Sequence, residues 1–417
     1  MKITDIEIHS ISIPYVDWIA YPLNHYHGPS RRTIYVAHTD NGLVGLGESG
    51  APEPRETIDQ YLGSNPYTWI GDETSLGLGM AMYDLMGQAA GVPVYQLFGQ
   101  QHRSWVPIGA WTVSTHPKRM AEAVTRYAAR GYTWMKYHLS PFENVFDQTE
   151  AMQKVAPPGF KIHYDFTGGG TDDHMPELLG KLAQYPIAGC FEDPIHEGDI
   201  QGSIELRQRI PLPIVRHRAP LEASYEVLMG AGDAYIRGHQ KIGAIIRTAG
   251  LLAAGNIPFA IQNVGGTITR AMTVHMKAAF PTATLHSHSD AETWSHDVVA
   301  ESLEPINGLV RVPEKPGLGL TLDREKLAYL KNIVLEPQQP WIIKSRFRNG
   351  TVMYHNFDQT KSGHFLVRPD WHRGLIPMSY AAPIETEYWD DDGSPEFKTM
   401  QQRLTQEGMI LERENGH

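Results

Sequence analysis

Between Trp105 and Ser287 the chain alternates short apolar runs with amphipathic stretches. Stretches such as HPKRMAEAVTRYAARG and GAIIRTAGLLAAGN have helical character, and eight of the runs have the length of strands: WVPIGAW, TWMKYHL, KIHYDF, IAGCFEDP, PIVRHR, AYIRG, PFAIQ and ATLHS. This alternation is typical of parallel strands joined by crossover helices. It predicts either a (β/α)8 barrel or, as the alternative, an open doubly wound sheet.

The segments on either side have different patterns. Residues 1–104 contain strand-like runs (ITDIEIHSISI, RTIYVAHTD, GLVGLGES) and then helices, which predicts a separate α+β domain before a barrel domain at 105–335. Residues 336–417 form an extension with strand-like pieces, WIIKSRF and TVMYHNF. Its apolar mass, which includes HFLVRPDW, predicts that it packs on the first domain or on a partner subunit.

The composition argues against a membrane protein, a nucleic-acid-binding protein and an exported protein. The 417 residues are 41% hydrophobic and 20% charged, and no run approaches the roughly 20 apolar residues that a membrane span needs, so we expect a soluble protein with no membrane partner. The net charge of −11 disfavours a nucleic-acid partner. The amino terminus lacks the features of a signal peptide, and the single cysteine, Cys190, lies in an apolar run. These features predict a buried thiol and a cytoplasmic location.

Three motifs carry a resemblance to a known family. The segments GLGMAMYDLMGQAAGVPVYQLFG, CFEDPI and GLVRVPEKPGLGL with DREKLAYL resemble motifs of the mandelate racemase and muconate-lactonizing branch of the enolase superfamily. The resemblance covers residues 1 to about 335. It implies a modified (β/α)8 TIM barrel with an N-terminal α+β capping domain, and a homo-oligomer. It also implies a lyase or isomerase that removes the proton alpha to the carboxylate of a small acid with the help of a divalent metal, as a sugar-acid dehydratase or cycloisomerase.

In that family, acidic residues at the ends of strands three, four and five hold Mg2+. Asp165 in HYDFT and Glu192 in CFEDP match the first two ligands, but PIVRHRAPL places His217 at the third. His217 could complete a site for Mg2+ or for a transition metal, since imidazole favours the latter. Alternatively, Arg216 or Arg218 could take the place of the ion. The protein would then be a catalytically altered or inactive relative that binds a small carboxylate ligand without metal.

The second strand offers a base. Alternation along TWMKYHL puts Lys136 and His138 on one side of the strand. By the resemblance, Lys136 would hold the substrate carboxylate, and His138, with an ordinary pKa near 6.5, would take the proton. The competing interpretation is that Lys136 only pairs with a buried acid such as Asp165.

The other side of the site departs from the family. Gly238 and Gln262 stand where the family has an Asp-His pair, so a base is expected on one face alone, which favours dehydration or cycloisomerisation over racemisation. A weaker hypothesis is new chemistry that uses His217, His239 and His286. The candidate substrate-binding residues come from the capping-domain loop and from the strand ends: His25, His27, Arg31, Arg218, His239, Gln262 and His286.

Overall fold

The structure of the protein is a computed structural model that describes residues 1–140, 143–167, 174–217, 227, 229–336, 339–356 and 384–413. In these ranges no helix combines the length and the hydropathy required to cross a membrane. Arg218 and the segment HFLVRPDW lie outside the described residues.

The amino-terminal part is the predicted mixture of strands and helices. Its antiparallel sheet has the order β1-β2-β3, formed by β1 (Ile3–Ser12), β2 (Arg31–Thr39) and β3 (Val44–Ser49). Its helices are α1 (Asp17–His27), α2 (Arg55–Tyr61), α3 (Leu76–Ala90) and α4 (Tyr95–Phe98). Helix α3 lies directly against β3, where a Cβ on Gly47 would stand 1.9 Å from the Gly77 carbonyl oxygen. This close approach requires glycine.

Seven parallel strands form the barrel sheet, in the order β11-β10-β9-β8-β7-β6-β5. They are β5 (Ala110–Val113), β6 (Trp134–His138), β7 (Lys161–Asp165), β8 (Ala188–Glu192), β9 (Ile214–His217), β10 (Ala234–Gly238) and β11 (Phe259–Gln262). The start of the first predicted strand instead forms β4 (Trp105–Pro107), which pairs antiparallel with β12 (Leu309–Arg311).

The eighth predicted strand, ATLHS, is present as a single bridge. Ser287 pairs in parallel with Ile108, its carbonyl accepts from the Gly109 amide at 2.9 Å, and its Oγ accepts from the Ile261 amide at 3.2 Å. The segment thus joins β11 to the chain just before β5, and the sheet curls into the predicted barrel rather than an open sheet.

In the part of the chain that the structure describes, six helices follow the strands: α5 (Pro117–Ala129), α6 (Val145–Val155), α7 (Met175–Leu182), α8 (Ile200–Arg209), α9 (Ile242–Ala254) and α10 (Thr267–Ala279). A small apolar cluster from alternate strand positions includes Cys190, Val215, Ile236 and Ala260. The cysteine is buried, as predicted. This cluster lies two residues before the ends of its strands and fills the barrel beneath the polar residues there.

After α11 (Arg324–Lys331) the extension forms its own antiparallel sheet, in the order β15-β13-β14-β16, with α12 (Pro395–Glu407). Its strands are β13 (Trp341–Phe347), β14 (Thr351–Asn356), β15 (Ile384–Asp390) and β16 (Met409–Arg413). The two strand-like pieces are therefore strands. Asp390 accepts hydrogen bonds from Tyr21 and contacts His25 of α1. The domain boundaries and the oligomeric state stay predictions.

Candidate active site

The polar residues of the barrel stand at the last positions of its strands. His138, Asp165, Glu192 and His217 end β6, β7, β8 and β9, and the register pairs His138 with Asp165 and Asp165 with Glu192. Parallel strands bring their carboxyl ends to one rim, so residues far apart in sequence meet there. In the sequence, the site is therefore recognised from the last residues of successive strands, which are far apart along the chain.

Lys136 lies at the centre of this group. Its side chain is completely buried, and Nζ stands 2.9 Å from Asp165 Oδ2 and 2.6 Å from Glu192 Oε2. It also donates to Gln262 Oε1 at 3.1 Å. The pairing of Lys136 with a buried acid, which the sequence left open, is therefore present, and it involves both carboxylates.

The charges of this cluster are fixed by one another. Burial alone would lower the pKa of Lys136, but Asp165 and Glu192 outweigh burial and raise it. Burial and the charge of Glu192 would raise the pKa of Asp165, yet Lys136 and His138 bring it down to about 2. Burial likewise opposes the lowering of the Glu192 pKa, to which Lys136, His163 and His217 contribute. At neutral pH the ammonium and both carboxylates are ionised.

His138 connects the barrel with the capping helix α1. Its Nε2 is 3.1 Å from Asp165 Oδ2, and its Nδ1 is hydrogen-bonded to the hydroxyl of Tyr26. Trp111 lies beside it, with ring centroids 5.5 Å apart, and the exposed His27 covers Trp111 at 5.4 Å. The imidazole thus has a carboxylate on one nitrogen and a phenol on the other, which is the setting of an oriented acid or base.

His217 replaces the third acid of the family, and the neighbouring strand accommodates it. Its Nδ1 is 3.0 Å from Glu192 Oε1, and its backbone amide donates to Asp193 Oδ1 at 3.0 Å. A Cβ on Gly238 would stand only 2.8 Å from His217 Nε2. The two departures from the family pattern are therefore linked, because a side chain at position 238 would displace the imidazole.

The carboxylate and imidazole groups at this rim can be compared with the ligands that a divalent cation requires. Ligand atoms of Glu192, Asp193 and His217 lie within 4.8 Å of one another, a group that does not include Asp165. Within the described residues, His217 Nε2 is buried without a hydrogen-bond partner, and both oxygens of Glu192 are buried against cationic or imidazole groups. Carboxylate and imidazole donors fit a divalent metal, with a bias toward transition metals. The ammonium of Lys136 must leave the carboxylates for an ion to bind both directly.

Arg216 is the arginine of the RHR motif that the structure describes. Its guanidinium donates to Ser203 Oγ in α8 and to the Glu197 carbonyl, both on the outer side of β9. The cation that contacts both Asp165 and Glu192 is Lys136. Arg218 lies outside the described residues.

The remaining predicted substrate-binding residues are dispersed. His25 Nε2 contacts Asp390 Oδ1 at 2.5 Å, Arg31 is exposed at the start of β2, and His239 is exposed just after β10 with a positive φ of 54°. His286 is buried beside His163. Gln262 accepts a hydrogen bond from the central Lys136. Nothing in the structure tests whether any of them binds substrate, so these assignments stay predictions.

Sequence reasoning missed Tyr26 and His163. His163 was within reach, because it stands two residues before Asp165 and alternation puts both on one side of β7. Tyr26 gave no signal, since the contact between α1 and β6 joins residues 112 positions apart.

Comparison with known proteins places these features in a family. The sequence family described as "Enolase C-terminal domain-like" matches residues 119–326. The D-xylonate dehydratase of Haloferax volcanii is 26% identical over 69% of this chain and 82% of its own length. The D-gluconate dehydratase of Thermoproteus tenax is 24% identical over 70% of this chain and 68% of its own.

Solved structures share the fold at lower identity. The muconate cycloisomerase of Pseudomonas fluorescens is 20% identical and superposes with a TM-score of 0.66, covering 80% of this chain and 99% of the other. The N-succinyl Arg/Lys racemase of Bacillus cereus gives 19% identity and a TM-score of 0.66 over the same shares. With the capping domain, the barrel and the acidic strand ends, these matches confirm the predicted family. The chain belongs to the enolase superfamily, in its mandelate racemase and muconate-lactonizing branch.

Proposed function

We propose that this protein removes the proton alpha to the carboxylate of a small acid, as a lyase or isomerase of the sugar-acid dehydratase or cycloisomerase kind. The observation that carries the proposal is the placement of His138, an imidazole base, 3.1 Å from one of two ionised carboxylates at the mouth of the barrel. Relatives named as dehydratases of xylonate and gluconate support a polyhydroxy acid as the substrate class.

Asp165, Glu192 and His217 would hold a divalent cation, Mg2+ or a transition metal. When bound, such an ion supplies the positive charge that stabilises an enediolate. The chain's own groups perform the remaining tasks. The Cα–H bond breaks with transfer of the proton to His138, and the electron pair passes into the enediolate.

Lys136 would supply the second positive charge of the site. Its raised pKa keeps the ammonium charged, and Asp165, Glu192 and Gln262 hold it in place. A substrate carboxylate that approaches the rim would find this ammonium in an otherwise buried setting, where the attraction is stronger than in water. Release of Lys136 from the acids toward the substrate is coupled to binding of the metal in this proposal.

The same contacts support a second candidate, a relative that binds a carboxylate without metal. Here the ammonium of Lys136, already 2.6 Å from Glu192 and 2.9 Å from Asp165, would remain the permanent cation of the site. Such a protein would bind a small acid at the rim but lack a charge strong enough to stabilise the enediolate.

Exchange of the α-hydrogen with solvent separates the two candidates. Incubating the protein in D2O with a panel of C5 and C6 sugar acids, with Mg2+ or Mn2+ present, should give deuterium at the α-carbon or a dehydrated product by NMR. H138Q should lower this rate by roughly 100-fold or more, since a general base contributes about that much. H102Q, which changes an exposed histidine before β4 and outside the candidate site, is the matched control.

Metal dependence completes the test. D165N should abolish both the exchange and the binding of Mn2+, followed by its paramagnetic signal. Binding of a sugar acid to metal-free protein, with no exchange under any metal, would overturn the proposed reaction in favour of the second candidate.

A further inference from the structure

A second group of potential ligands lies inside the barrel, beside the carboxylates. His163 of β7, His286 of the eighth segment and His288 directly after that segment are 1%, 6% and 3% exposed. One ring nitrogen of each lies within 4.8 Å of the others, and His163 Nδ1 is 2.9 Å from His286 Nε2. Three imidazoles that converge in a buried place need a partner for their nitrogens.

The need for a partner is clearest at the ring nitrogens of His288. Across the described residues, neither Nδ1 nor Nε2 of His288 has a hydrogen-bond partner, although both atoms are buried. An unmatched buried polar group costs on the order of 1–3 kcal/mol, so such a residue requires an explanation. Its ring stands nearly perpendicular to that of His286, with centroids 5.0 Å apart, so stacking does not supply one.

The surroundings fix the rings in place. His163 Nε2 contacts Glu192 Oε2 at 2.7 Å, which leaves Nδ1 directed at His286. A histidine held by a carboxylate on one nitrogen is the usual arrangement of a metal ligand. Trp134 stacks on His286 with centroids 4.1 Å apart, and a Cβ on Gly109 would stand 2.7 Å from His288 Nε2. A glycine at 109 therefore leaves the space that His288 occupies.

The charged groups around the three imidazoles suit a cation. Glu192 Oε2 lies 2.7 Å from His163 Nε2, and the single ammonium of Lys136 faces two carboxylates, those of Asp165 and Glu192. A dication bound to the three imidazoles would therefore have acidic side chains beside it.

We propose that His163, His286 and His288 bind one transition-metal dication such as Zn2+ inside the barrel, at a site distinct from Asp165, Glu192 and His217. Tetrahedral Zn2+ takes nitrogens at about 2.0–2.1 Å, which separates them by roughly 3.4 Å. The contact between His163 and His286 must open slightly, and His288 must move inward. A fourth position is left for water. The site does not depend on the proposed reaction.

Cobalt provides a direct probe, since Co2+ replaces Zn2+ and absorbs visible light strongly in tetrahedral nitrogen sites. In excess Mg2+, which occupies the proposed carboxylate site, wild-type protein titrated with Co2+ should develop d–d bands that saturate at one equivalent and that Zn2+ displaces. H288Q should lose the bands, and its binding of Co2+ should weaken at least 100-fold. H217Q, which alters the other nitrogen donor near Glu192, is the matched control and should keep them.

A second variant covers the case in which H288Q does not fold. G109A keeps all three histidines and adds one methyl group against His288 Nε2, so it should weaken Co2+ binding while circular dichroism shows a native spectrum. Wild-type protein that shows no tetrahedral bands overturns the site. Bands that H217Q abolishes and H288Q retains overturn it as well, because they would assign the ion to the carboxylate group.

Discussion

The two halves of the barrel rim differ in charge. Strands β6 to β9 end in His138, Asp165, Glu192 and His217, with Lys136 among them, whereas β10 and β11 end in Gly238 and Gln262. We call these the charged half and the uncharged half, the latter together with the eighth segment and α10. The uncharged half can bind through amide and imidazole groups but offers no carboxylate at its strand ends. Under the proposed function, this asymmetry would confine proton abstraction to one face, which suits a dehydration or a cycloisomerisation better than a racemisation.

The largest expected effect is a difference in stability between variants of two buried lysines, one in each half of the barrel rim. Lys136 neutralises two carboxylates, while Lys277 of α10, equally buried, donates to the carbonyls of Pro107 and Leu285. K136M leaves two buried negative charges uncompensated and should lower the free energy of unfolding by about 3–5 kcal/mol. K277M should cost about 1–2 kcal/mol, since hydrogen bonds alone are lost.

Urea denaturation measures both losses, and metal sharpens the contrast. Mn2+ or Zn2+ should restore stability to K136M, because the vacated place between the acids then accepts a dication, and should not restore it to K277M. Equal losses in the two variants would contradict the view that charge distinguishes the halves.

The next effect concerns pH and the neutral imidazole of His275 in α10. Burial lowers its pKa to about 4, and its Nδ1 accepts from the Tyr95 amide at 3.3 Å, a role that protonation abolishes. The unfolded chain takes up this proton near pH 6.5, so the contribution of His275 is complete above that pH and is lost as the pH falls to about 4. The loss should amount to about 3 kcal/mol.

Urea midpoints at a series of pH values between 7 and 4 test this. H275Q should be less stable at pH 7 and should show a flatter dependence than the wild type over that range. If both proteins lose stability in parallel, another group causes the acid sensitivity.

A smaller effect tests the link between His217 and Gly238. G238A places a methyl group 2.8 Å from His217 Nε2 and should cost about 1–3 kcal/mol through overpacking. It should also weaken Mn2+ binding if His217 is a ligand. G250A is the control, because position 250 in α9 has open space for a methyl group and the change should stabilise the helix by about 0.5–1 kcal/mol. If G238A left stability and Mn2+ binding unchanged, Gly238 and His217 would be independent departures from the family pattern.

The smallest effect concerns the contact between cap and barrel. Y26F removes the hydroxyl that bonds His138 Nδ1 and should cost about 1 kcal/mol. It should also change the pH dependence of α-hydrogen exchange, since that nitrogen loses its partner. Y21F, which removes an exposed bond to Asp390, should leave the exchange unaltered. A matching change in both variants would mean that the cap acts only by its position.

Much of the fold could be predicted because it is local. Alternating apolar positions in segments such as TWMKYHL and KIHYDF locate strands β6 and β7 to within a residue or two, and helices between them require parallel order. The length of the eighth strand was overestimated, since ATLHS has the pattern of a strand yet forms a single bridge, between Ser287 and Ile108. No local pattern reveals how far a segment will pair with its neighbours.

The candidate site likewise contains residues that the sequence located and residues that it could not bring together. Asp165, Glu192, His138 and Lys136 could be found because each ends, or nearly ends, a strand with a recognisable motif. The cluster of His163, His286 and His288 could not be seen as one site, since it joins β7 to the segment that closes the barrel, more than 120 residues later.

By itself the sequence determined which side chains reach the mouth of the barrel, because alternation along a strand decides which face each residue takes. Tertiary structure alone decided that Lys136 pairs with both carboxylates, that His217 occupies the space above Gly238, and that three histidines converge. Closing the barrel sets these distances, and distances of about 3 Å set the charges. A carboxylate, an ammonium or an imidazole takes its protonation state from its nearest neighbours and its burial.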